Sequence, residues 1–411
     1  MDAAPAPPVR NGALNALGLV GLALIAVAHT GLWYGIEPFT TNFYAFAWWG
    51  LSIGVDAWAG KRTGRSLWLE RPGTMLLLSW ASAAFWLWFE LANLRLQNWY
   101  YVGAVTSFAA RMGLMAICFA TVLPGVLGIE RLLKSYGVFE GRRCTPWTLS
   151  PDLARKALLI GLAMGAASML FPRYAFFLVW GATGLAIEAY LCLRRERSLL
   201  GFLAEGDLAP ILRFLLAGFI AGGTWEAWNF HAGAKWIYTV PFMERVKLGE
   251  MPVLGFLGFP PFALECYSFA RLCVAVGACP EWEPELERRP SSAGRMAGWA
   301  LAFGLLSAPA AWLCDRYTVR GLRVEPEVRA VLPEGQRQLV DLKGLGLRGL
   351  AWLEAVGIDA PAELAAGDSR ELMERFRVAA ALEEPPPGPV PYEREVRVWM
   401  LAAADLSTAG E

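Results

Sequence analysis

Long apolar stretches, separated by short charged loops, dominate the chain. Runs of about 20 apolar residues, the length that crosses a hydrocarbon layer about 30 Å thick, fall near 13–35, 41–59, 74–93, 103–128, 156–171, 173–193, 209–230, 251–278 and 295–314. The pattern predicts about nine transmembrane helices, the fifth short and the eighth long and interrupted by Pro260-Pro261. Positive charge collects after the second run (Lys61, Arg62, Arg65, Arg71), the fourth (Arg131, Lys134, Arg142, Arg143) and the sixth (Arg194, Arg195, Arg197), so those loops are expected to be cytoplasmic. The opposite loops, with Asn98-Trp99-Tyr100-Tyr101 and Trp236-Ile237-Tyr238, are aromatic and suit the outer interface. Nine crossings put the C-terminus outside, whereas Arg316, Arg320 and Arg323 argue for inside, and a re-entrant eighth run changes the parity. The side of the C-terminus stays open. One Arg precedes the first run and no convincing cleavage site follows it, so residues 13–35 read as a retained helix rather than a signal peptide.

The runs repeat at a period of about 130 to 137 residues. Tyr44-Ala45-Phe46 matches Tyr174-Ala175-Phe176, Trp49-Gly50 matches Trp180-Gly181, and Arg65-Ser66-Leu67 matches Arg197-Ser198-Leu199. Further on, Phe89-Glu90-Leu91-Ala92-Asn93 matches Trp225-Glu226-Ala227-Trp228-Asn229, and Trp99-Tyr100-Tyr101-Val102 matches Trp236-Ile237-Tyr238-Thr239. Glu130 and Glu265 end the fourth helices, and Asp56 and Glu188 hold approximately similar places in the second. Four helices per unit is an even number, so the expected fold is all-α, with two four-helix units in the same membrane orientation, a parallel rather than inverted repeat. The expected divisions are a first unit at 1–133, a linker at 134–154, a second unit at 155–279, an added helix at 295–314 and a small soluble helical domain at 320–411.

Composition agrees. Of 411 residues, 56% are hydrophobic and 18% charged, too apolar for an ordinary soluble enzyme. A multi-pass integral protein of a bacterial inner membrane is expected. Lys plus Arg and Asp plus Glu both number 37, so net charge predicts no nucleic-acid partner. Seven cysteines form no CxxC pair and only two histidines occur, which excludes a zinc framework and the multi-histidine di-iron sites of membrane desaturases. No metal is expected. Neither a G-x-G-x-x-G nor a P-loop stands in suitable context, so the sequence identifies no cofactor.

Glu90 with Asn93, and Glu226 with Asn229, are spaced i, i+3 and share a helix face. A carboxyl at membrane depth costs at least a few kcal/mol, so Glu90, Glu226, Glu265, Glu188 and Asp56 must face protein, water or one another. The candidate catalytic set is Glu226, Glu265, Glu90, Asn229 and Asn93. The competing reading has these carboxyls near the headgroups, bonded to loop Trp and Tyr side chains. The second half is richer, adding His231, Lys235, Glu244 and the glycine- and proline-rich segment 249–265, although helix packing explains Gly255 and Gly258 equally well. Nineteen tryptophans exceed the needs of two interfacial belts. Trp225, Trp228, His231, Trp236, Tyr238, Trp99 and Tyr101 are candidate substrate-binding residues, whose rings can stabilise a carbocation. An aromatic belt accounts for the loop residues as well as a pocket does.

Trp236-Ile237-Tyr238 and Pro260-Pro261-Phe262-Ala263-Leu264-Glu265, echoed by Trp99 and by Pro124 through Glu130, resemble the lycopene cyclase domain of carotenoid cyclases over about residues 40–275. That resemblance implies duplicated helical units and an apolar isoprenoid or carotenoid-like substrate. It further implies cyclisation or isomerisation begun by a protonating carboxylic acid, with a second carboxylate taking the proton back. The family's Pro-Glu-Glu type of acidic motif is absent, since three apolar residues separate Pro261 from Glu265. Two other functions stand beside this one: a proton- or ion-coupled transporter using the Glu and Asn pairs, and a non-catalytic membrane scaffold.

Residues 338–378 look like a helix-hairpin-helix module, with Gly344 and Gly346 in the hairpin and Gly357-Ile358 closing the second helix. Such hairpins often bind nucleic-acid backbones. Residues 320–411, however, carry 11 basic and 16 acidic side chains, a balance of −5, opposite to a DNA-binding footprint. A protein partner or self-association through 338–411 is expected instead.

Overall fold

Small residues decide how the first helices meet. In the computed structural model, which describes residues 8–243, 246–287 and 291–408, α1 (Asn11–Trp33) and α2 (Phe43–Thr63) form an antiparallel pair with touching backbones. A Cβ on Gly21 would lie 2.8 Å from the Gly50 carbonyl oxygen, so only glycine permits this approach. A short helix α3 (Leu67–Glu70), N-capped by the Ser66 hydroxyl, turns the chain into α4 (Pro72–Leu96). Strand β1 (Trp99–Val102) follows, then α5 (Phe108–Phe119) and α6 (Val122–Ser135), which break at Ala120-Thr121 within the expected fourth run.

A further set of helices follows. α7 (Pro151–Leu170) and α8 (Val179–Leu193) pair closely, with Gly161 against the Ala182 carbonyl. α9 (Leu199–Ala204) is N-capped by Ser198, and α10 (Ala209–His231) leads to strand β2 (Lys235–Tyr238). The expected eighth run resolves into a tiny hairpin, β3 (Lys247–Leu248) with β4 (Met251–Pro252), a 3-10 turn at Val253–Gly258, and α11 (Phe259–Ala275). Its prolines occupy the first turn of α11, where their missing N–H groups cost nothing, rather than breaking a helix in its middle. α12 (Ala293–Tyr317) packs on α4. Glu244 lies outside the described residues.

The protein is mostly helical and multi-pass. Seven spans among the described residues are long and apolar enough to cross a membrane: 11–33, 72–96, 108–135, 151–170, 176–193, 253–275 and 293–317. α2 and α10, 21 and 23 residues long, are not among the seven. Each holds buried charge, Asp56 in α2 and Arg213 with Glu226 in α10. At one end of the bundle buried charges are paired: Arg131 donates to Asp56 at 2.6 Å, Arg213 to Glu130 at 2.6 Å, and Arg271 to Glu281 at 2.8 Å.

At the other end the two aromatic loops join. β1 and β2 pair antiparallel, with Trp99 opposite Tyr238 and Tyr101 opposite Trp236. The free edge of β1 takes up the segment after α12, through Tyr101 N to Thr318 O at 2.9 Å and Arg320 N to Tyr101 O at 2.8 Å. The C-terminal domain therefore sits on the aromatic-loop end, which settles its side relative to those loops. It comprises α13 (Pro326–Val331), α14 (Glu334–Asp341), α15 (Gly346–Glu354), α16 (Pro361–Ala366), α17 (Ser369–Ala379) and α18 (Glu393–Thr408). It has its own core around Leu339, Leu353, Phe376 and Trp399. Arg394 of α18 clamps it down, donating to Leu96 O and Thr239 O at 2.6 Å each.

The turn between α14 and α15 holds Gly344 and Gly346 at φ of 80° and 61°, a left-handed backbone that favours glycine. This turn faces inward. Trp399 Nε1 donates to Gly344 O, and the Tyr100 hydroxyl occupies the space a Gly344 side chain would need. Lys343 beside it reaches Glu250 of the membrane portion at 2.6 Å.

Candidate functional site

Between the helices lies a cavity of about 570 Å³, the size of a small-molecule site. Its walls are overwhelmingly apolar and aromatic, with Trp86, Trp99, Trp180, Trp225, Trp236 and Phe262 prominent. Both halves of the chain contribute, and the β1–β2 ribbon forms part of the wall. The ribbon is there because an asparagine at the end of each preceding helix folds its loop back. Asn93 Nδ2 donates to Trp99 O at 2.8 Å and its Oδ1 accepts from Asn98 N at 2.8 Å. Asn229 Nδ2 donates to Trp236 O at 2.9 Å and its Oδ1 accepts from Trp236 N at 2.9 Å. These two amides, expected in the catalytic set, are thus spent on backbone and do not line the cavity.

The glutamates one turn earlier hold the loop side chains. Glu90 Oε1 accepts from Tyr101 Oη at 2.6 Å, Trp86 Nε1 at 2.9 Å and Trp99 Nε1 at 3.0 Å, and its Oε2 from Cys314 Sγ at 3.5 Å. Glu226 differs. Its Oε1 accepts from Tyr238 Oη at 2.8 Å, while its Oε2 has no hydrogen-bond partner among the described residues. Both carboxyls are buried, at 1% and 3% exposure; Glu90 meets the cavity through Trp86, Trp99 and Tyr101, and Glu226 through Tyr238, all of which line it. A fully bonded carboxyl is a fastener; one with an open oxygen beside a hydroxyl on a cavity wall can exchange a proton.

Glu265 has another duty. Within α8, Trp180 (φ −82°, ψ 69°) and Gly181 (φ 149°, ψ −20°) leave the helix and restart it, freeing amides. Glu265 Oε1 accepts from Gly184 N at 2.8 Å and so caps the restarted helix, while its Oε2, like that of Glu226, has no hydrogen-bond partner among the described residues; unlike Glu226 it has no cavity-lining hydroxyl beside it. The kink also places Trp180 in the cavity wall, stacked on Phe89 at 5.1 Å. Asp56 and Glu188 act alike at the second helices. Asp56 accepts from the Ser66 hydroxyl and Leu67 N, Glu188 from Leu200 N and the Ser268 hydroxyl.

Of the seven residues expected to bind substrate, Trp225, Trp236, Tyr238, Trp99 and Tyr101 line the cavity. Trp228 and His231 do not. Trp228 packs edge-on against Phe43, Trp48 and His29, and His231 is exposed at the end of α10 beside Phe230. Sequence reasoning missed Trp86, Trp180 and Tyr44. Trp86 lies one turn before Glu90 on the same face, a spacing that was available to find it. No cluster of metal-ligating side chains occurs among the described residues. Comparison with protein families, with curated proteins and with solved structures returns no match.

Proposed function

We propose that the chain is a membrane enzyme that takes an apolar isoprenoid-like lipid into the aromatic cavity and rearranges it, by cyclisation or isomerisation, through proton transfer from a buried carboxylic acid. One observation carries this reading: an apolar cavity has, behind one wall tyrosine, a carboxyl with an unbonded oxygen. Glu226 is the acid. Tyr238, which in the resting protein donates to Glu226 Oε1 and faces the cavity, relays the proton by changing partners: Glu226 gives its proton to the Tyr238 oxygen as Tyr238 releases its own to an alkene carbon, and the resulting cation sits among Trp225, Trp236 and Trp180. Loss of a proton from a neighbouring carbon returns it to the carboxylate, so the reaction is a net isomerisation without oxidant or reductant. Glu90, saturated by donors, fixes the opposite strand of the ribbon. Apolar walls weigh against an ion-coupled carrier, and the cavity itself weighs against a pure scaffold.

The architecture supporting this reading is nine crossings arranged as two parallel four-helix units. The ribbon register favours it: Trp99 faces Tyr238 and Tyr101 faces Trp236, so matched residues exchange places under a twofold axis through the ribbon. Glu90 and Glu226 each hold a loop tyrosine, Asn93 and Asn229 each fold a loop back, Ser66 and Ser198 each cap a short helix, and Asp56 and Glu188 each accept from that helix's backbone, which supports the same relation. An aromatic loop ahead of a proline-led helix is what the chain shares with the lycopene cyclase domain. The C-terminal domain serves as an adaptor docked on the ribbon, not as a nucleic-acid binder.

Lipid and pigment profiling of a strain lacking the gene tests the proposal. The expected result is an accumulated isoprenoid precursor, cleared by the wild-type chain and not by a stably inserted Glu226→Gln variant, whose activity should fall roughly 100-fold or more, the scale of general acid catalysis. Identical profiles with and without the gene overturn it.

A further inference from the structure

Tyr44, on α2, is a cavity residue with no assigned task. Its hydroxyl is buried, lies in a residue that lines the cavity, and has no hydrogen-bond partner among the described residues. Buried hydroxyls are rarely left so without a ligand or water to complete them. The ring packs edge-on against Trp236 at 5.1 Å, and Trp236 packs edge-on against Tyr238 at 6.5 Å, so the two tyrosines flank one tryptophan of the wall.

The two phenols are complementary in what they lack. Tyr238 has committed its proton to Glu226, so its oxygen is available as an acceptor. Tyr44 has an uncommitted O–H, available as a donor. A group placed between them must donate to one and accept from the other. A hydroxyl does both; a carbonyl or ether can only accept, and a hydrocarbon does neither. We infer that the cavity binds the hydroxyl end of an isoprenoid alcohol between Tyr44 and Tyr238, which deepens the lipid reading above and rests on it. An allylic alcohol held this way has its first double bond next to the Glu226–Tyr238 pair. The other charged residues of the wall are occupied and do not compete: Arg111 is taken by Asp315 and two carbonyls, and Lys235 by Glu250 and Phe230 O.

The test uses full-length protein in detergent and three polyene probes that quench tryptophan emission: all-trans-retinol, its methyl ether and its deoxy hydrocarbon. Two net hydrogen bonds predict that the wild type binds retinol roughly fivefold or more tighter than the hydrocarbon, with the ether between them. Tyr44→Phe should erase most of that preference, leave hydrocarbon affinity unchanged and keep the thermal midpoint, because it removes a hydroxyl that bonds to nothing in the empty protein. Equal affinity for retinol and hydrocarbon in the wild type, or a preference that survives Tyr44→Phe, overturns the inference while leaving a lipid-binding cavity intact. Failure of Tyr44→Phe to fold also overturns it, by showing that the hydroxyl has a structural partner. If no probe binds, the lipid reading fails with it.

Discussion

Glu90 and Glu226 each accept from a tyrosine of the strand that follows their helix, yet truncating them should have unequal consequences. Glu90→Ala strands the Tyr101 hydroxyl and the Trp86 and Trp99 indole N–H groups, three donors that converge on one oxygen. Glu226→Ala strands only the Tyr238 hydroxyl. An orphaned buried donor costs about 1–3 kcal/mol, which puts Glu90→Ala at roughly 3–9 kcal/mol and Glu226→Ala at about 1–3. Interhelical hydrogen bonds in membranes average nearer 0.6 kcal/mol, and on that lower scale the figures become about 2 and about 0.6. Either scale makes Glu90 the costlier loss by about a factor of three. The assay is thermal unfolding of purified protein in one detergent, followed by tryptophan emission, with wild type and both alanine variants side by side. The two glutamine variants belong in the same series, since glutamine keeps an acceptor oxygen for the convergent donors and should recover most of the loss at Glu90. Equal destabilisation by the two alanine substitutions, or a larger effect at Glu226, refutes the division of labour between fastener and acid.

Reporter fusions or cysteine labelling should place the loop after β1 and the C-terminal domain on the same side of the membrane, with the 136–150 loop opposite; separate sides for the first two would contradict the strand pairing at Tyr101. Full-length protein should show no salt-sensitive retention of duplex DNA, because the domain carries 11 basic against 16 acidic side chains and Tyr100 and Trp399 cover its Gly344 turn. Burial in the docked domain holds the Glu395 carboxyl above its ordinary 4.5 despite Arg320. The folded state therefore keeps that proton more tightly than the unfolded chain, and the associated stability is complete below pH 4.5 and lost as pH rises through the raised value. Glu395→Gln should gain on wild type in melting temperature between pH 4.5 and neutrality; a constant difference across that range counts against the assignment.

Much of the helical layout was legible because apolar run length is a strong signal at membrane depth, and each of the nine runs contains a helix. Breaks inside runs were harder to see. The kink at Trp180-Gly181 is made by one glycine at φ 149° and repaired from a distant helix by Glu265, which no local pattern encodes. For the same reason Glu265 read as a site residue when it caps a helix. The E-x-x-N spacing correctly put both side chains on one face, but spacing cannot distinguish an amide that fastens a loop from one that meets a ligand. In the sequence Tyr44 stands out only as part of a repeated tripeptide, since an unbonded hydroxyl becomes visible only when its neighbours are known. Charge counting leaves the side of the C-terminal domain open, and backbone bonds to β1 place it at the aromatic-loop end of the bundle.

Those bonds also set an order of events during synthesis. β1 leaves the ribosome about 135 residues before its partner β2, an interval of roughly 7–27 s at 5–20 residues per second. Its second edge is covered later still, when residues 318–322 follow α12 out. Until β2 arrives the strand has two open edges, and until residues 318–322 arrive it still has one, the situation that invites pairing with a foreign chain. The segment that shuts it comes only after α12, so a nascent chain arrested or clipped before residue 318 would leave the insertion machinery with an unsealed edge even though α1 through α12 had already been made.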